Sequence, residues 1–214
     1  LPSKKWATYT IAVGITIRII WCLTLPSPPL SDSASYVELA RSIAEGGPYY
    51  IDRTWAYWPP GYPMYLSFFL EIGLNVSATI LVTNILQYLA SSALIYLTGL
   101  KIGGPLTARM STSLLSLWPS LVTATGIAQK EQLLIPIILG IFYLSITSDN
   151  CKAPIFDHVL RGILLGLACL IQPSLTFFIL VIFIIDYIHK SRFREAFKST
   201  FITSIIAIFI ITPW

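Results

Sequence analysis

Acidic side chains are concentrated in one polar stretch of an otherwise apolar chain. Four of the ten Asp and Glu residues lie between Pro28 and Pro63, namely Asp32, Glu38, Glu45 and Asp52. A second polar group, Lys130-Glu131, stands between two apolar runs much later in the chain. A carboxylate can take the proton of an acceptor hydroxyl, and nearby cations can stabilise a departing phosphate. Asp32 and Glu131, meeting in an aromatic-lined cleft, would therefore suit group transfer from a lipid-held donor to a water-side acceptor.

The composition indicates what must hold these residues. Hydrophobic residues make up 55% of the 214 residues and charged residues 11%, whereas about a quarter of a soluble domain is charged. The mean hydropathy is +0.74. A membrane span needs roughly 20 apolar residues, so the chain has room for several spans and one large loop, but for no separate soluble domain. In such a protein Lys and Arg set the topology, so the net charge of +4 does not indicate a nucleic-acid partner.

The apolar runs predict an all-α polytopic membrane protein in which residues 1–214 form a single domain. A long first outer loop, about residues 27–75, carries two short interfacial helices, one around Tyr36–Glu45 and one over Tyr62–Leu74. The Gln172-Pro173-Ser174 sequence separates two short spans rather than bending one. The chain is thus predicted to contain about seven transmembrane helices, which are Trp6–Leu25, Val76–Leu100, Leu106–Thr125, Leu133–Ile146, Gly162–Leu170, Leu175–Ile188 and one from Thr200 onward.

The distribution of basic residues predicts the orientation. Most Lys and Arg residues fall in the segments that this topology assigns to one side, including a loop over Ser148–Arg161. That side is expected to be cytoplasmic, with the N-terminus. Arg18 lies inside the first span, where it faces protein or snorkels to the interface. His158 lies in the predicted loop without metal-spaced partners, and Asp186 is expected to pair with nearby basic residues.

Several short motifs occur in a fixed order along the chain. They are Asp32-x-x-x-Tyr36-x-x-Leu39-Ala40, Gly47-Pro48-Tyr49, Pro59-Pro60-Gly61-Tyr62-Pro63, Lys130-Glu131-x-Leu133 and Thr212-Pro213-Trp214. In this order and topology the chain resembles the GT-C membrane glycosyltransferases. Within them it is most similar to the branch of protein O-mannosyltransferases and aminoarabinose transferases.

The resemblance implies a function and a set of site residues. It implies transfer of a sugar, usually with inversion, from a polyprenyl-phosphate carrier to a glycan, lipid or protein acceptor on the outer or lumenal face. Asp32 matches the presumed catalytic base, and Glu131 matches the acidic position of the second outer loop. Substrate-binding candidates are Tyr36, Arg53, Trp58, Tyr62, Lys130 and Gln172. Trp58 and Gln172 stand where relatives carry basic residues, so the donor phosphate would depend on Arg53 or Lys130.

Plainer interpretations of the same residues stay open. Asp32 precedes a helix and could be its N-cap, while Lys130 and Glu131 could be solvated residues at the end of a span. Tyr36 lies one turn after Asp32 and either orients it or packs in a core. Arg53 pairs with its neighbour Asp52 or serves the site, and the aromatic residues around Trp58 also suit an interface anchor.

Other functions and partners are also compatible with the sequence. A lipid-linked sugar flippase or transporter would need ionisable groups deep in its spans. A non-catalytic membrane subunit would hold a partner chain. We expect no resident cofactor, although a divalent metal at Asp32 stays open, and we expect a prokaryotic cell membrane as the location. The start at Leu1 and the end at Trp214, within an apolar run, suggest part of a longer chain.

Overall fold

The computed structural model describes residues 3–25, 27–51, 54–55, 57–147, 155–190 and 193–214. These residues are predominantly α-helical, with one small two-stranded ladder, which confirms the all-α class. The chain divides into two compact units, Leu1–Pro136 and Ile137–Trp214. The boundary falls within helix α6 (Lys130–Thr147), at Pro136.

In the first unit, the long apolar segments form helix α1 (Ser3–Thr24) and helix α4 (Val76–Leu117). Gly104 interrupts α4 with φ 75° and ψ −164°, and Pro105 follows it. Such a φ is readily adopted by glycine and rarely by other residues. The Tyr88 hydroxyl donates to Ser116 Oγ at 2.8 Å, although 28 residues of straight helix would separate them by about 42 Å. Helix α4 is therefore a hairpin, and its turn lies between the predicted spans Val76–Leu100 and Leu106–Thr125.

Arg18 of α1 faces the protein, as one of its two predicted alternatives requires. Its side chain is 2% exposed, and its guanidinium donates to the carbonyl oxygens of Gly14 at 3.1 Å, Ser116 at 2.8 Å and Leu115 at 3.4 Å. Its Cζ lies 3.8 Å from the centre of the Tyr88 ring. Arg18 thus joins α1 to both arms of the α4 hairpin.

The segment between α1 and α4 contains helix α2 (Asp32–Ala44), the strands β1 (Tyr50–Ile51) and β2 (Thr54–Trp55), and helix α3 (Gly61–Glu71). The strands are antiparallel, with Tyr50 opposite Trp55 and Ile51 opposite Thr54. Helices α2 and α3 occupy the stretches in which the sequence predicts two short helices, and they pack against each other. Their location at a membrane surface stays a prediction.

The α4 hairpin leads into helix α5 (Pro119–Thr123), a 3-10 turn at Ala124–Gly126 and then α6. Among the described residues, three helices are long and apolar enough to cross a membrane: Lys5–Thr24, Val76–Leu117 and Lys130–Thr147. The chain therefore has the apolar helices of a membrane protein. The total of about seven spans stays a prediction.

In the second unit, the end of α6 is followed by helix α7 (Ile155–Ile171), a 3-10 turn (Pro173–Phe177), helix α8 (Phe178–Lys190) and helix α9 (Phe193–Ile211). Helix α7 ends before Gln172, so the predicted break at Gln172-Pro173 is present. Helix α9 begins seven residues before the predicted start at Thr200. The core of this unit contains Ile141, Leu165, Cys169, Ile182 and Ala207.

A buried polar network crosses the second unit and corrects one prediction. Arg161 is 0% exposed and donates to Asp186 Oδ1 at 2.8 Å, Ser145 Oγ at 3.2 Å and Ser199 Oγ at 2.6 Å. His158 Nδ1 also contacts the Arg161 guanidinium. The prediction that His158 and Arg161 lie in a polar loop is wrong, because both are buried in α7 with polar partners from other helices. Asp186 does pair with a basic residue, but the ion pair in the structure is with Arg161 of α7, 25 positions away, whereas the prediction was a basic residue close to Asp186 in the sequence.

Candidate active site

Asp32 and Glu131 line one cavity of about 400 Å³ in the first unit. The two residues are 99 positions apart in the chain, and each is the first or second residue of a helix, α2 for Asp32 and α6 for Glu131. Both side chains are exposed. The remaining lining residues are Leu30, Ser31, Ser33, Tyr36, Ile127, Ala128 and Gln129. The structure therefore brings together the two carboxylates that the sequence singles out as catalytic candidates.

The Asp32 carboxylate does not cap its helix. Ser31 occupies the N-cap position and Asp32 is the first residue of α2. Within the described part of the chain, the hydrogen bond of the Asp32 side chain comes from the Ser31 hydroxyl, at 3.3 Å from Oδ1, and no backbone N–H donates to it. The carboxylate is thus free of the capping role that was the plain alternative, and it can accept a proton or a hydrogen bond from a ligand.

The backbone just before Asp32 is strained. Ser31 has φ 53° and ψ −130° and is the one described residue other than glycine with a positive φ. Conformations of this kind cost on the order of 1–3 kcal/mol and cluster at functional sites. The strain occurs where the chain turns from the Pro28-Pro29-Leu30 segment into α2, and it sets the direction from which Asp32 enters the cavity.

Tyr36 lies one helical turn after Asp32 and forms part of the cavity wall. Its side chain is 2% exposed, and its ring packs edge-on against the rings of Trp58 and Tyr62, each at 5.2 Å between centres. Its hydroxyl has no hydrogen-bond partner among the described residues. Burial, followed by the negative charges of Asp32 and Glu131, raises the pKa of Tyr36 to about 12. Tyr36 is therefore a neutral phenol at physiological pH, and its hydroxyl is buried without a hydrogen-bond partner in the described part of the chain.

Trp58 and Tyr62 pack against the ring of Tyr36. Tyr62 is 1% exposed, and burial together with neighbouring Tyr65, Tyr36 and Glu131 raises its pKa, while the backbone N–H of Gln129 acts in the opposite direction. The Tyr49 hydroxyl donates to the carbonyl oxygens of Trp58 at 2.9 Å and Pro59 at 3.2 Å. These hydrogen bonds hold the backbone at the start of the Pro59-Pro60-Gly61 turn. Trp58 and Tyr62, on either side of this turn, contact the ring of Tyr36 but do not line the cavity.

The three further predicted substrate-binding residues are Lys130, Gln172 and Arg53. Lys130 is half-buried and is not among the lining residues. Gln172 lies in the second unit, where its side-chain amide donates to Ser174 Oγ at 3.1 Å. Arg53 lies outside the described residues. Their roles toward a donor phosphate stay predictions.

The sequence interpretation missed several residues around the cavity. Ser31, Ser33 and Gln129 line it, and Asn84 of α4 binds the backbone that leads to Glu131. Asn84 is recognisable in the sequence as one of two amide side chains, with Gln87, within an apolar run, and polar side chains are unusual in a membrane span. Ser31 carries no comparable signal, because its backbone strain is visible only in three dimensions.

A second, mainly apolar cavity of about 350 Å³ is lined by residues that are next in the sequence to those of the acidic cavity. Its lining comes from the end of α1, the first turns of α4, residues Ser27–Pro29 and residues Thr125–Gly126. The next residues of the same two segments, Leu30–Ser33 and Ile127–Gln129, line the acidic cavity. Two chain segments therefore contribute to both cavities, and each of them lines the apolar cavity with its earlier residues and the acidic cavity with its later ones.

Long apolar helices, together with an acidic cavity at the beginnings of α2 and α6, are typical of a helical membrane protein with a polar site. The sequence matches the dolichyl-phosphate-mannose-protein mannosyltransferase family over residues 58–214. The chain belongs to this family and is a membrane glycosyltransferase of the GT-C type. No curated protein and no solved structure matches the chain. The family match includes Trp58, Tyr62 and Glu131, and it begins after Asp32 and Tyr36.

Proposed function

We propose that the chain transfers a sugar from a polyprenyl-phosphate donor to an acceptor hydroxyl at the outer membrane face, with Asp32 as general base. The observation that carries this proposal is the shared cavity of Asp32 and Glu131. Its wall also contains Tyr36, whose buried hydroxyl has no hydrogen-bond partner among the described residues. Membership in a glycosyltransferase family supports the reaction class. The acceptor is a glycan, lipid or protein that carries a hydroxyl or comparable nucleophile.

The proposed step needs no oxidant, reductant or resident cofactor. The Asp32 carboxylate takes the proton of the acceptor hydroxyl as the acceptor oxygen forms a bond to the anomeric carbon. The bond between that carbon and the phosphate oxygen breaks, and the polyprenyl phosphate leaves with the bonding electrons. A single displacement of this kind inverts the configuration at the anomeric carbon.

Tyr36 and Glu131 have complementary roles in this proposal. Because the pKa of Tyr36 is raised to about 12, its phenol keeps its proton and donates a hydrogen bond to an oxygen of the sugar or the phosphate. Glu131 accepts hydrogen bonds from sugar hydroxyls. Because these hydroxyls are neutral, the two carboxylates do not repel them. A phosphate would be repelled by two carboxylates, so it requires a cation, and Arg53 and Lys130 are the predicted candidates.

A divalent metal at Asp32 is an alternative source of positive charge. One or two carboxylates together with substrate phosphate oxygens are a ligand set that Mg²⁺ accepts, and Asp32 and Glu131 fit that description. Among the described residues, no group of three or more His, Cys, Asp and Glu side chains converges. Such a cation would supply charge neutralisation for the leaving phosphate.

The apolar cavity supports a lipid-linked donor. A polyprenyl phosphate has an apolar tail attached directly to a charged head, and the two neighbouring cavities offer an apolar wall next to a polar one. The first isoprene units would contact Ile80 and Leu81 of α4 while the sugar reaches Asp32. The proposed location is a prokaryotic cell membrane, which the chain crosses several times with its N-terminus in the cytoplasm.

The proposal is tested by replacing Asp32 with Asn and measuring sugar transfer from a polyprenyl-phosphate sugar in detergent or proteoliposomes. Removal of a catalytic base is expected to lower turnover by about 100-fold or more. Glu38→Gln is the matched control, since Glu38 is an exposed acidic residue of the same helix that does not line the cavity, and it should retain full turnover. Undiminished turnover in the Asp32→Asn protein would exclude Asp32 as the base.

The buried Arg161–Asp186 ion pair is the observation that favours the transporter alternative, because ionisable groups within apolar helices often serve transport. The two functions separate in one assay. Movement of a carrier-linked sugar across a vesicle membrane that persists in the Asp32→Asn protein, without transfer in the unsubstituted protein, would support transport. The alternative of a non-catalytic subunit predicts neither activity and stable purification with a second chain.

A further inference from the structure

Asn84 connects the α4 hairpin to the segment that leads into Glu131. Its side chain is 2% exposed, and Nδ2 donates to the carbonyl oxygens of Thr125 at 2.8 Å and Ile127 at 3.1 Å. These contacts cross 41 and 43 residues of sequence. The two acceptors lie on either side of Gly126, where the 3-10 turn ends and the backbone becomes extended at Ile127.

The chemistry of the acceptors fixes the orientation of the Asn84 amide. Backbone carbonyl oxygens only accept hydrogen bonds, so the NH₂ group and not the carbonyl of the side chain must face them. The Asn84 Oδ1 has no hydrogen-bond partner among the described residues. The side chain therefore serves the 125–127 backbone rather than a closed network of its own.

The segment that Asn84 binds forms one wall of the acidic cavity. Ile127, Ala128 and Gln129 line that cavity together with Glu131, and Ala128 is 1% exposed. Only three residues separate Ile127 from Glu131, and Gln132 N–H bonds to the Gln129 carbonyl as α6 begins. A shift of residues 125–127 would therefore move the Glu131 carboxylate relative to Asp32, which is carried by a different element.

We propose that Asn84 is a positioning residue that holds residues 125–127 and, through them, sets the place of Glu131 opposite Asp32. The proposal rests on the function proposed above insofar as it concerns catalysis. Its structural part does not depend on that function and is measured separately.

The experiment combines hydrogen exchange of the segment with transfer kinetics in three single variants. Asn84→Leu removes both donated hydrogen bonds and keeps the number of side-chain heavy atoms and the branch at Cγ. Asn84→Asp keeps the shape but offers one donor at most, and none once it is ionised. Thr83→Val is the matched control, since the buried Thr83 hydroxyl bonds only to carbonyl oxygens of its own helix, those of Thr79 and Ile80, among the described residues.

The expected result is faster amide exchange of peptides covering 124–132 in Asn84→Leu, with exchange in α1 and α4 unchanged. Turnover should fall about tenfold or more through misplacement of the site, with a smaller change in the KM for donor. In Asn84→Asp both effects should grow as pH rises, after correction for intrinsic exchange, because the ionised carboxylate repels the two carbonyl oxygens. Thr83→Val should show neither effect.

Exchange of residues 124–132 at the unsubstituted rate in both Asn84 variants would overturn the proposal, whatever the activity. Faster exchange with unchanged turnover would also overturn it, because Glu131 would then not depend on Asn84. If the unsubstituted protein shows no transfer, the function proposed above fails, and the exchange data still decide whether Asn84 holds the segment. If Asn84→Leu does not fold, Asn84→Asp at its lower pH range supplies the same comparison.

Discussion

Tyr36 lies in the wall of the cavity that also contains two carboxylates, and its burial there predicts its titration. Its pKa of about 12 exceeds the ordinary value of about 10. Because the folded state favours the protonated phenol, the contribution of Tyr36 to stability is fully present below pH 10 and is lost as the pH rises through 12. The tyrosine Cζ resonance in ¹³C NMR, assigned through Tyr36→Phe, reports this titration directly.

Substitution of Asp32 separates the two causes of this shift. In Asp32→Asn the pKa of Tyr36 should fall below 12 because one negative charge is gone, yet stay above 10 because the burial remains. Glu38→Gln should leave the titration unchanged. Ionisation of Tyr36 near pH 10 in the unsubstituted protein would contradict its burial in the wall that it shares with the carboxylates.

Single residues differ in how well the sequence predicts them. Asp32 and Glu131 are predictable because carboxylates are rare in an apolar chain and fall in ordered motifs. Asn84 stands out as a polar residue in an apolar run, yet its partners are backbone carbonyls, which every residue has, so no pairing can be read from sequence. The position of the Tyr36 hydroxyl depends on Trp58 and Tyr62, which pack against its ring from a different segment.

Helices α7 and α9 pack closely because glycine stands where they meet. A Cβ atom added at Gly162 would lie 2.5 Å from Ile206 Cβ, and one added at Gly166 would lie 2.7 Å from Ile210 Cβ. Small residues at this spacing allow close approach of helices in membranes, where packing contributes much of the association energy. The second unit therefore depends on glycine at both positions.

This packing predicts that Gly162→Ala destabilises the protein by about 1–3 kcal/mol, since the added methyl group forces the helices apart. Thermal unfolding in detergent, followed by circular dichroism, measures the effect. Gly126→Ala is the matched control, because a Cβ there would lie no closer than 3.9 Å to another side chain. Equal stability of the two variants would show that α7 and α9 do not approach as closely as described.

At the scale of elements, glycine and proline residues predicted helix boundaries correctly, whereas charged residues that are buried in the structure led to a wrongly predicted loop. Gly104-Pro105 marks the turn of the α4 hairpin, and Gln172-Pro173 marks the end of α7, since glycine and proline constrain the backbone locally. His158 and Arg161 resemble loop residues in the sequence. Their burial is explained by Asp186 and Ser199, which lie 25 and 38 residues from Arg161 along the chain and satisfy it only after the helices have packed.

At the scale of the whole molecule, helix lengths and the distribution of charge together predict the topology. The first arm of α4, from Val76 to Gly104, is about 42 Å long at 1.5 Å per residue, which exceeds a hydrocarbon thickness of about 30 Å. The polar segment before α4 and the hairpin turn after Lys101 must then lie on opposite sides if this arm crosses the membrane. The cavity of Asp32 and Glu131 belongs to the side that precedes α4.

The distribution of basic residues predicts that the hairpin turn lies in the cytoplasm and the cavity outside, and thiol accessibility tests this orientation. Cys22, Cys151 and Cys169 are replaced by Ala, and single cysteines are introduced at Glu45 and Lys101, both of which are exposed. In intact cells a membrane-impermeant maleimide should label the cysteine at position 45, whereas the one at position 101 should react only after permeabilisation. The reverse pattern would place the cavity on the cytoplasmic side, where sugar transfer at the outer face is impossible. Labelling of both positions from outside would show that the first arm of α4 does not cross the membrane.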